Sequence, residues 1–233
     1  MRAYGLAKLT LIDYPGKMAC TVFTGGCNFR CPFCHNALLV TELELASDMI
    51  MEEEEVLQFL DKRQGILEGV CITGGEPLLQ PDIASFMEKV KEKGYLIKLD
   101  TNGSFPERLK EVTDRKLCDY IAMDIKNSRE KYAATVGLEK FDTSVIDESI
   151  NIIRASGIDH EFRTTFVKEL HDMDSARGIA QWIEGGDRYF IQNFKDSGDI
   201  IGEGYHGFES ADLTAFSAEM RPFLPNIRLR EIE

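Results

Sequence analysis

Short, β-branched apolar runs alternate with amphipathic stretches along almost the whole chain. The runs at 18–24 (MACTVFT), 68–73 (EGVCIT), 95–100 (YLIKLD), 118–124 (CDYIAMD), 159–167 (DHEFRTTFV) and 187–193 (DRYFIQN) predict strands. Helical spacing of apolar positions falls between them, near 50–63, 81–93, 105–115, 142–156 and 173–184. A further helix near 209–220 and a last short strand near 226–231 follow. Pro81 at the start and Gly94 just past the end give the helix at 81–93 its start and stop signals. Strand–helix alternation predicts an α/β fold: a parallel sheet with helices outside, either open and doubly wound or curled into a barrel, with right-handed crossovers. No internal repeat, low-complexity tract or long linker interrupts the pattern. We expect one domain over residues 1–233, with 196–233 as a less regular extension.

The unusual residues gather at one end of this pattern. A cysteine loop, "GGCNFRCPFCHN" (25–36), follows the first predicted strand, and "TGGEP" (Thr73 to Pro77) follows the second. "DTNG" (Asp100 to Gly103) follows the third, "MDIK" (Met123 to Lys126) closes the fourth, Arg163 lies on the fifth, and "QNFK" (Gln192 to Lys195) closes the sixth. The carboxyl ends of parallel strands are where α/β sheets bind ligands and where barrels gather catalytic groups.

Cys27, Cys31 and Cys34 are spaced C-x3-C-x2-C. A structural zinc site is normally closed by four protein ligands, often as two separated pairs. Here the fourth ligand would have to be His35, which adjoins Cys34 and is poorly placed to chelate the same ion. An iron–sulfur cluster with three thiolates and one open iron suits the spacing better. Gly25 and Gly26 would let backbone approach the sulfurs, and Phe29, Pro32 and Phe33 would form an apolar shell around them. Cys20, Cys71 and Cys118 stand singly in apolar runs and read as reduced core residues.

Cys27, Cys31, Phe33 and Cys34, followed by Thr73, Gly74, Gly75, Glu76 and Pro77, resemble the motifs of the radical S-adenosylmethionine enzymes. The resemblance implies an incomplete TIM-like (β/α)6 barrel, a 4Fe-4S cluster on the three cysteines and S-adenosylmethionine on the open iron. It places Phe33 near the adenine, and Gly74, Gly75 and Glu76 at the methionyl ammonium. "CHN" (Cys34, His35, Asn36), "DTNG" and "MDIK" further resemble the activating enzymes of glycyl radical enzymes. That likeness assigns Asp100, Thr101 and Asp124, with the backbone carbonyl of Ala122, to a sodium or potassium ion beside the cofactor. It sets Lys126 and Arg163 at the cofactor carboxylate. Taken singly, Asp100 reads as a turn residue and Lys126 as a solvated charge; the ordered set outweighs both readings. "LTLIDYPGK" (Leu9 to Lys17) is similar to the branch that activates anaerobic ribonucleoside-triphosphate reductase, and is expected to serve the partner or the entrance. Pyruvate formate-lyase activases carry a histidine near Lys195, which is the residue that would stand in for it here. Relatives of the 7-carboxy-7-deazaguanine synthase kind give a small-molecule alternative, and a zinc-stapled interaction domain the non-enzyme one.

The net charge of −13 makes a general nucleic-acid surface improbable. No stretch reaches the roughly 18–20 apolar residues of a membrane span, and the amino-terminal residues lack a signal-peptide pattern. A cytoplasmic enzyme is expected, reduced by a flavodoxin or ferredoxin docking near Arg30 or Lys17. The run Glu52 to Glu55 reads as the solvated start of a helix. His160, His171 and His206 are expected at the surface, Trp182 in helix packing, and no lid segment after the sixth strand.

Overall fold

The computed structural model describes residues 1–41, 50–196 and 198–230. Nine strands form one sheet: β1 (Arg2–Thr10), β2 (Ala19–Thr24), β3 (Met51–Glu52), β4 (Gly69–Gly74), β5 (Leu96–Thr101), β6 (Tyr120–Asp124), β7 (Asp159–Phe166), β8 (Tyr189–Asn193) and β9 (Ile227–Arg230). Their spatial order is β3-β1-β2-β4-β5-β6-β7-β8-β9. From β2 rightward every pairing is parallel, whereas β1 runs antiparallel to β2 and β3 antiparallel to β1. All six predicted parallel strands are present, and β9 extends them as a seventh. The sheet has two edges, so it is a partial barrel rather than a closed one.

Helices α2 (Glu53–Asp61), α3 (Ile83–Glu92), α4 (Pro106–Asp114), α6 (Ser144–Ser156), α7 (Met173–Trp182) and α8 (Ser210–Met220) occupy the predicted windows. Two short ones were not predicted: α1 (Ala37–Thr41) and α5 (Tyr132–Thr135). The acidic run does open α2, with Glu52 and Glu55 forming a reciprocal capping box.

β7 shows how the two faces of the sheet divide. Phe162 and Phe166 are fully buried with the helices' apolar residues in the main core. Full burial of each contributes on the order of 1.5–3 kcal/mol. Alternate residues Glu161, Arg163 and Thr165 share the opposite face. Arg163 meets Asp100 and Asp124 from β5 and β6, so this inner face is polar and charged. Toward its floor, buried Glu161 accepts from Tyr120 at 2.6 Å and from both Arg230 Nη atoms at 2.6 and 2.9 Å. That pairing laces β9 to β7 across β8.

"LTLIDYPGK" turns β1 into β2 at the amino-terminal ends of the parallel strands, the edge opposite the cysteine loop. There Tyr14 is buried beside Tyr120 and against Gly69, while Leu9, Leu11 and Ile12 are exposed. The stretch therefore closes the floor and does not form an entrance. Lys17 pairs with Glu68 at the same floor, far from the cysteines in the fold. Among the described residues no helix is long and apolar enough to cross a membrane.

Candidate active site

The loop after β2 hangs from neighbouring backbone. Gly26 N donates to Leu39 O at 2.7 Å, and Gly26 O accepts from Glu76 N at 2.8 Å. On the other side, Arg30 N donates to Val136 O at 2.8 Å. Such close approach to the end of β4 demands glycine there. A Cβ on Gly75 would stand 1.9 Å from Gly26 O, and one on Gly74 (φ +117°) 2.3 Å from Thr24 O. Asn36 donates to Gly74 O at 2.6 Å and holds the same strand end from the loop side.

Cys27, Cys31 and Cys34 line one cavity of about 290 Å³. Phe33, His35, Asn36, Thr73, Gly74 and Gly75 share its wall, as do Asp100, Thr101, Asp124, Lys126 and Arg163. Most of the residues predicted from six separate segments thus come together. Among the described residues, no three Cys, His, Asp or Glu side chains converge closely enough for a single metal ion. The sulfur of Cys27 already faces N–H donors, Phe29 N at 3.4 Å and Asn102 Nδ2 at 3.7 Å. Burial raises all three thiols, Cys31 to about 12, and the Lys126 ammonium pulls each back down. Thiolate ligands beside a fixed cation and N–H donors are the surroundings an iron–sulfur cluster uses.

Lys126 and Arg163 are anchored by the carboxylates. Arg163 Nε donates to Asp124 at 2.6 Å and its Nη2 to Asp100 at 3.1 Å; Lys126 Nζ meets the other Asp124 oxygen at 2.9 Å. Lys98, a buried residue that sequence reasoning missed, pairs with the second Asp100 oxygen. Burial works against the ionised form of Asp100 and Asp124, but Arg163, with Lys98 or Lys126, holds both below the usual carboxylate range. The expected monovalent-cation cage does not fit this arrangement. The Arg163 guanidinium bridges the two carboxylates, and the Thr101 hydroxyl is committed to Glu76 and Gly103. Ala122 sits mid-strand, paired with Asp100 on one side and Glu161 on the other.

Three other expectations change. Glu76 does not face the cavity: it is fully buried and accepts from Leu78 N at 3.0 Å, Thr101 Oγ1 at 2.8 Å and Asn102 N at 2.7 Å. Desolvation pushes it up to about 7 against those three donors, which all favour the carboxylate. It shapes the "DTNG" turn and leaves the ammonium of a ligand to other groups. Lys195 is exposed and outside the cavity; its neighbour Phe194 packs edge-on to Phe33 and His35 instead, at 6.4 and 5.1 Å. The chain after β8 also returns over the loop, where Gly202 N donates to Pro32 O at 2.7 Å, so a covering segment does exist. Arg30 is on the cysteine loop, donating to Cys27 O and Phe29 O.

His171 is buried rather than at the surface. Its Nδ1 lies 3.1 Å from Val167 N and its Nε2 2.9 Å from Lys126 O, so a neutral ring with Nε2–H satisfies both and fixes the Lys126 backbone. No motif marked it, because its partners are main-chain atoms distant in sequence. Burial lowers its pKa to about 4. As pH falls from the unfolded value near 6.5 toward 4, the unfolded chain takes up a proton that the folded one refuses, so stability is lost. We expect this group to cost on the order of 3 kcal/mol across that window. Glu76 acts in the opposite sense, removing stability as pH rises from about 4.5 to 7. Urea unfolding of wild type and His171→Phe at several pH values isolates the effect: the variant should lose less stability on acidification. Parallel slopes would refute it.

Residues 21–176 match the family described as the Radical SAM superfamily. A Methanocaldococcus jannaschii protein provisionally named a glycyl-radical enzyme activating enzyme is 35% identical over 195 residues, covering 82% of this chain and 79% of that one. The pyruvate formate-lyase-activating enzyme of Clostridium pasteurianum is 28% identical over 193 residues, covering 78% and 76%. In fold, the chain overlays Streptococcus suis SuiB with a TM-score of 0.66 at 14% identity, over 91% of this chain and 48% of SuiB, about half the latter's length. The chain belongs to the radical SAM superfamily of enzymes. Membership implies a 4Fe-4S cluster and S-adenosylmethionine, and the cavity residues fit both.

Proposed function

We propose that this protein installs a glycyl radical on a partner enzyme, anaerobic ribonucleoside-triphosphate reductase. The observation that carries the reading is its likeness, over most of its length, to two proteins named as activators of glycyl radical enzymes. "LTLIDYPGK" supports the ribonucleotide reductase branch. Cys27, Cys31 and Cys34 would hold the cluster, and the Gly74–Gly75 strand end, with Lys126 and Arg163, would receive S-adenosylmethionine. With both groups bound, the site would supply reductive S-adenosylmethionine chemistry able to remove a hydrogen atom from a glycine.

The residues of the chain do the positioning. Lys126 and Arg163 offer fixed positive charge to a ligand carboxylate, their own carboxylate partners keeping them in place. Gly74 and Gly75 let a ligand meet backbone without intervening side chains. Phe33 supplies an apolar wall backed by Phe194. A groove of about 660 Å³ shares His35 and Asn36 with the cavity, which leaves room for an extended peptide segment beside the site.

The test is anaerobic: reduced, cluster-loaded protein, S-adenosylmethionine and purified anaerobic ribonucleotide reductase. A doublet in electron paramagnetic resonance, and oxygen-dependent cleavage of the reductase at one glycine, are expected. Turnover of a purine-like small molecule with no protein substrate present would instead favour the deazaguanine synthase reading.

A further inference from the structure

β5 carries a lysine in the middle of an otherwise apolar run. Ile97 and Leu99 are buried in the main core, so Lys98 and Asp100 share the opposite, inner face of the sheet. Lys98 pairs in register with Cys71 of β4 and Tyr120 of β6, and it is only 2% exposed. Asp100, one pleat nearer the rim, lines the cysteine cavity; Lys98 lies beneath it and donates to Asp100 Oδ1. A buried ammonium is tolerated only beside a compensating charge. Its other contact, Cys71 Sγ at 3.8 Å, is a thiol that burial keeps protonated, and so only a weak acceptor. Asp100 is therefore the charge that holds Lys98 in place.

Every oxygen of Asp100 and Asp124 is met by a cation of the chain itself. Lys98 Nζ donates to Asp100 Oδ1, and Arg163 Nη2 donates to Asp100 Oδ2 at 3.1 Å. Arg163 Nε donates to Asp124 Oδ1 at 2.6 Å, and Lys126 Nζ to Asp124 Oδ2 at 2.9 Å. The five side chains alternate in sign, and the three cations outnumber the two carboxylates by one. That surplus matches the single negative charge of an amino-acid carboxylate. A sodium or potassium ion between Asp100 and Asp124 would have to displace Lys98 or Arg163. At 2% exposure Lys98 has no route to water, so displacing it would strand a buried charge.

We propose that Lys98 is this chain's built-in replacement for a monovalent metal ion. Its ammonium neutralises Asp100 from beneath the cavity, so the site binds S-adenosylmethionine without sodium or potassium. Lys98 touches no ligand; it is a positioning residue that acts through Asp100 and Arg163. With Asp100 neutralised from below, the Arg163 guanidinium keeps positive charge available to a ligand carboxylate. The inference rests on the placing of that carboxylate at Lys126 and Arg163, not on the activase reading. Its test contains no partner enzyme, so failure to activate a reductase and failure of this proposal are read separately.

The test is calorimetric titration of oxidised, cluster-loaded protein with S-adenosylmethionine, without reductant. The buffer holds sodium, potassium or tetramethylammonium at equal ionic strength, the last too large for a carboxylate cage. Wild type should bind with the same affinity in all three salts, an arm that needs no variant to fold. Lys98→Met, close in shape but uncharged, should bind at least about tenfold more weakly in tetramethylammonium. Sodium or potassium should restore part of that loss by entering beside the freed Asp100 oxygen. Three results would each overturn the proposal: salt-dependent binding in wild type, wild-type affinity of Lys98→Met in tetramethylammonium, or an equal loss by that variant in every salt. The last of these would mark Lys98 as a merely structural residue.

Discussion

Cys31→Ala is expected to abolish cluster assembly and, with it, reductive cleavage of S-adenosylmethionine. Cys31 is one of three thiols on the cavity wall, and no other cysteine lines that cavity. Cys20 and Cys71 lie within β2 and β4, and Cys118 just before β6, all three buried. Alanine at any of these three should cost only packing, about 1–3 kcal/mol, and leave iron content unchanged. The contrast between the two cysteine classes is the measurement: iron and sulfide per chain, with visible absorbance, in all six single variants. Full iron content in Cys31→Ala would remove it from the ligand set.

Gly75→Ala is expected to do nearly as much damage without touching a ligand. The added Cβ would fall 1.9 Å from Gly26 O and 2.6 Å from Gly26 C, and both are backbone atoms that no rotamer change can move aside. Either the cysteine loop lifts off the end of β4 or β4 itself shifts; in both cases the bond from Glu76 N to Gly26 O is lost. We expect more than about 3 kcal/mol of destabilisation and little iron uptake, through the steric clash with Gly26 and the backbone bond it breaks. Gly94→Ala is the calibrating variant. Gly94, unlike Gly75, has positive φ (+85°), but the space around it is open, so only the left-handed backbone penalty applies, about 1–2 kcal/mol. Similar melting temperatures for the two would refute the close-approach argument.

The parallel strands and the rim were legible because their signals are local. A β-branched run of six residues marks a strand, and cysteines or glycines at strand ends mark a rim. What escaped depends on contacts between distant segments. β1 was not predicted because "RAYGLAKLT" carries Gly5 and two lysine-flanked positions in place of a clean apolar run. It is a strand because β2 pairs with it. Glu76 reads as a ligand in its motif, yet its carboxylate turns inward to three donors on its own and the neighbouring turn. Its direction is set by packing, which spacing does not encode. Asp100 and Asp124 read as a cation cage when Arg163 is considered apart from them; only the pairing of β5, β6 and β7 shows the guanidinium bridging both carboxylates. His171 had no motif at all.

The sheet's parallel course also governs how fast it forms. Between β5 and β6, the shortest crossover, lie the 18 residues 102–119, and between β2 and β4 the 44 residues 25–68. Only the β1–β2 pairing is local enough to form as a hairpin. Closing loops of that length costs entropy before any contact repays it, which places the chain among slow folders. The cysteine loop lies inside the longest of these crossovers. Its thiols stay accessible for as long as β2 waits for β4, and oxidation competes with iron for them throughout that interval.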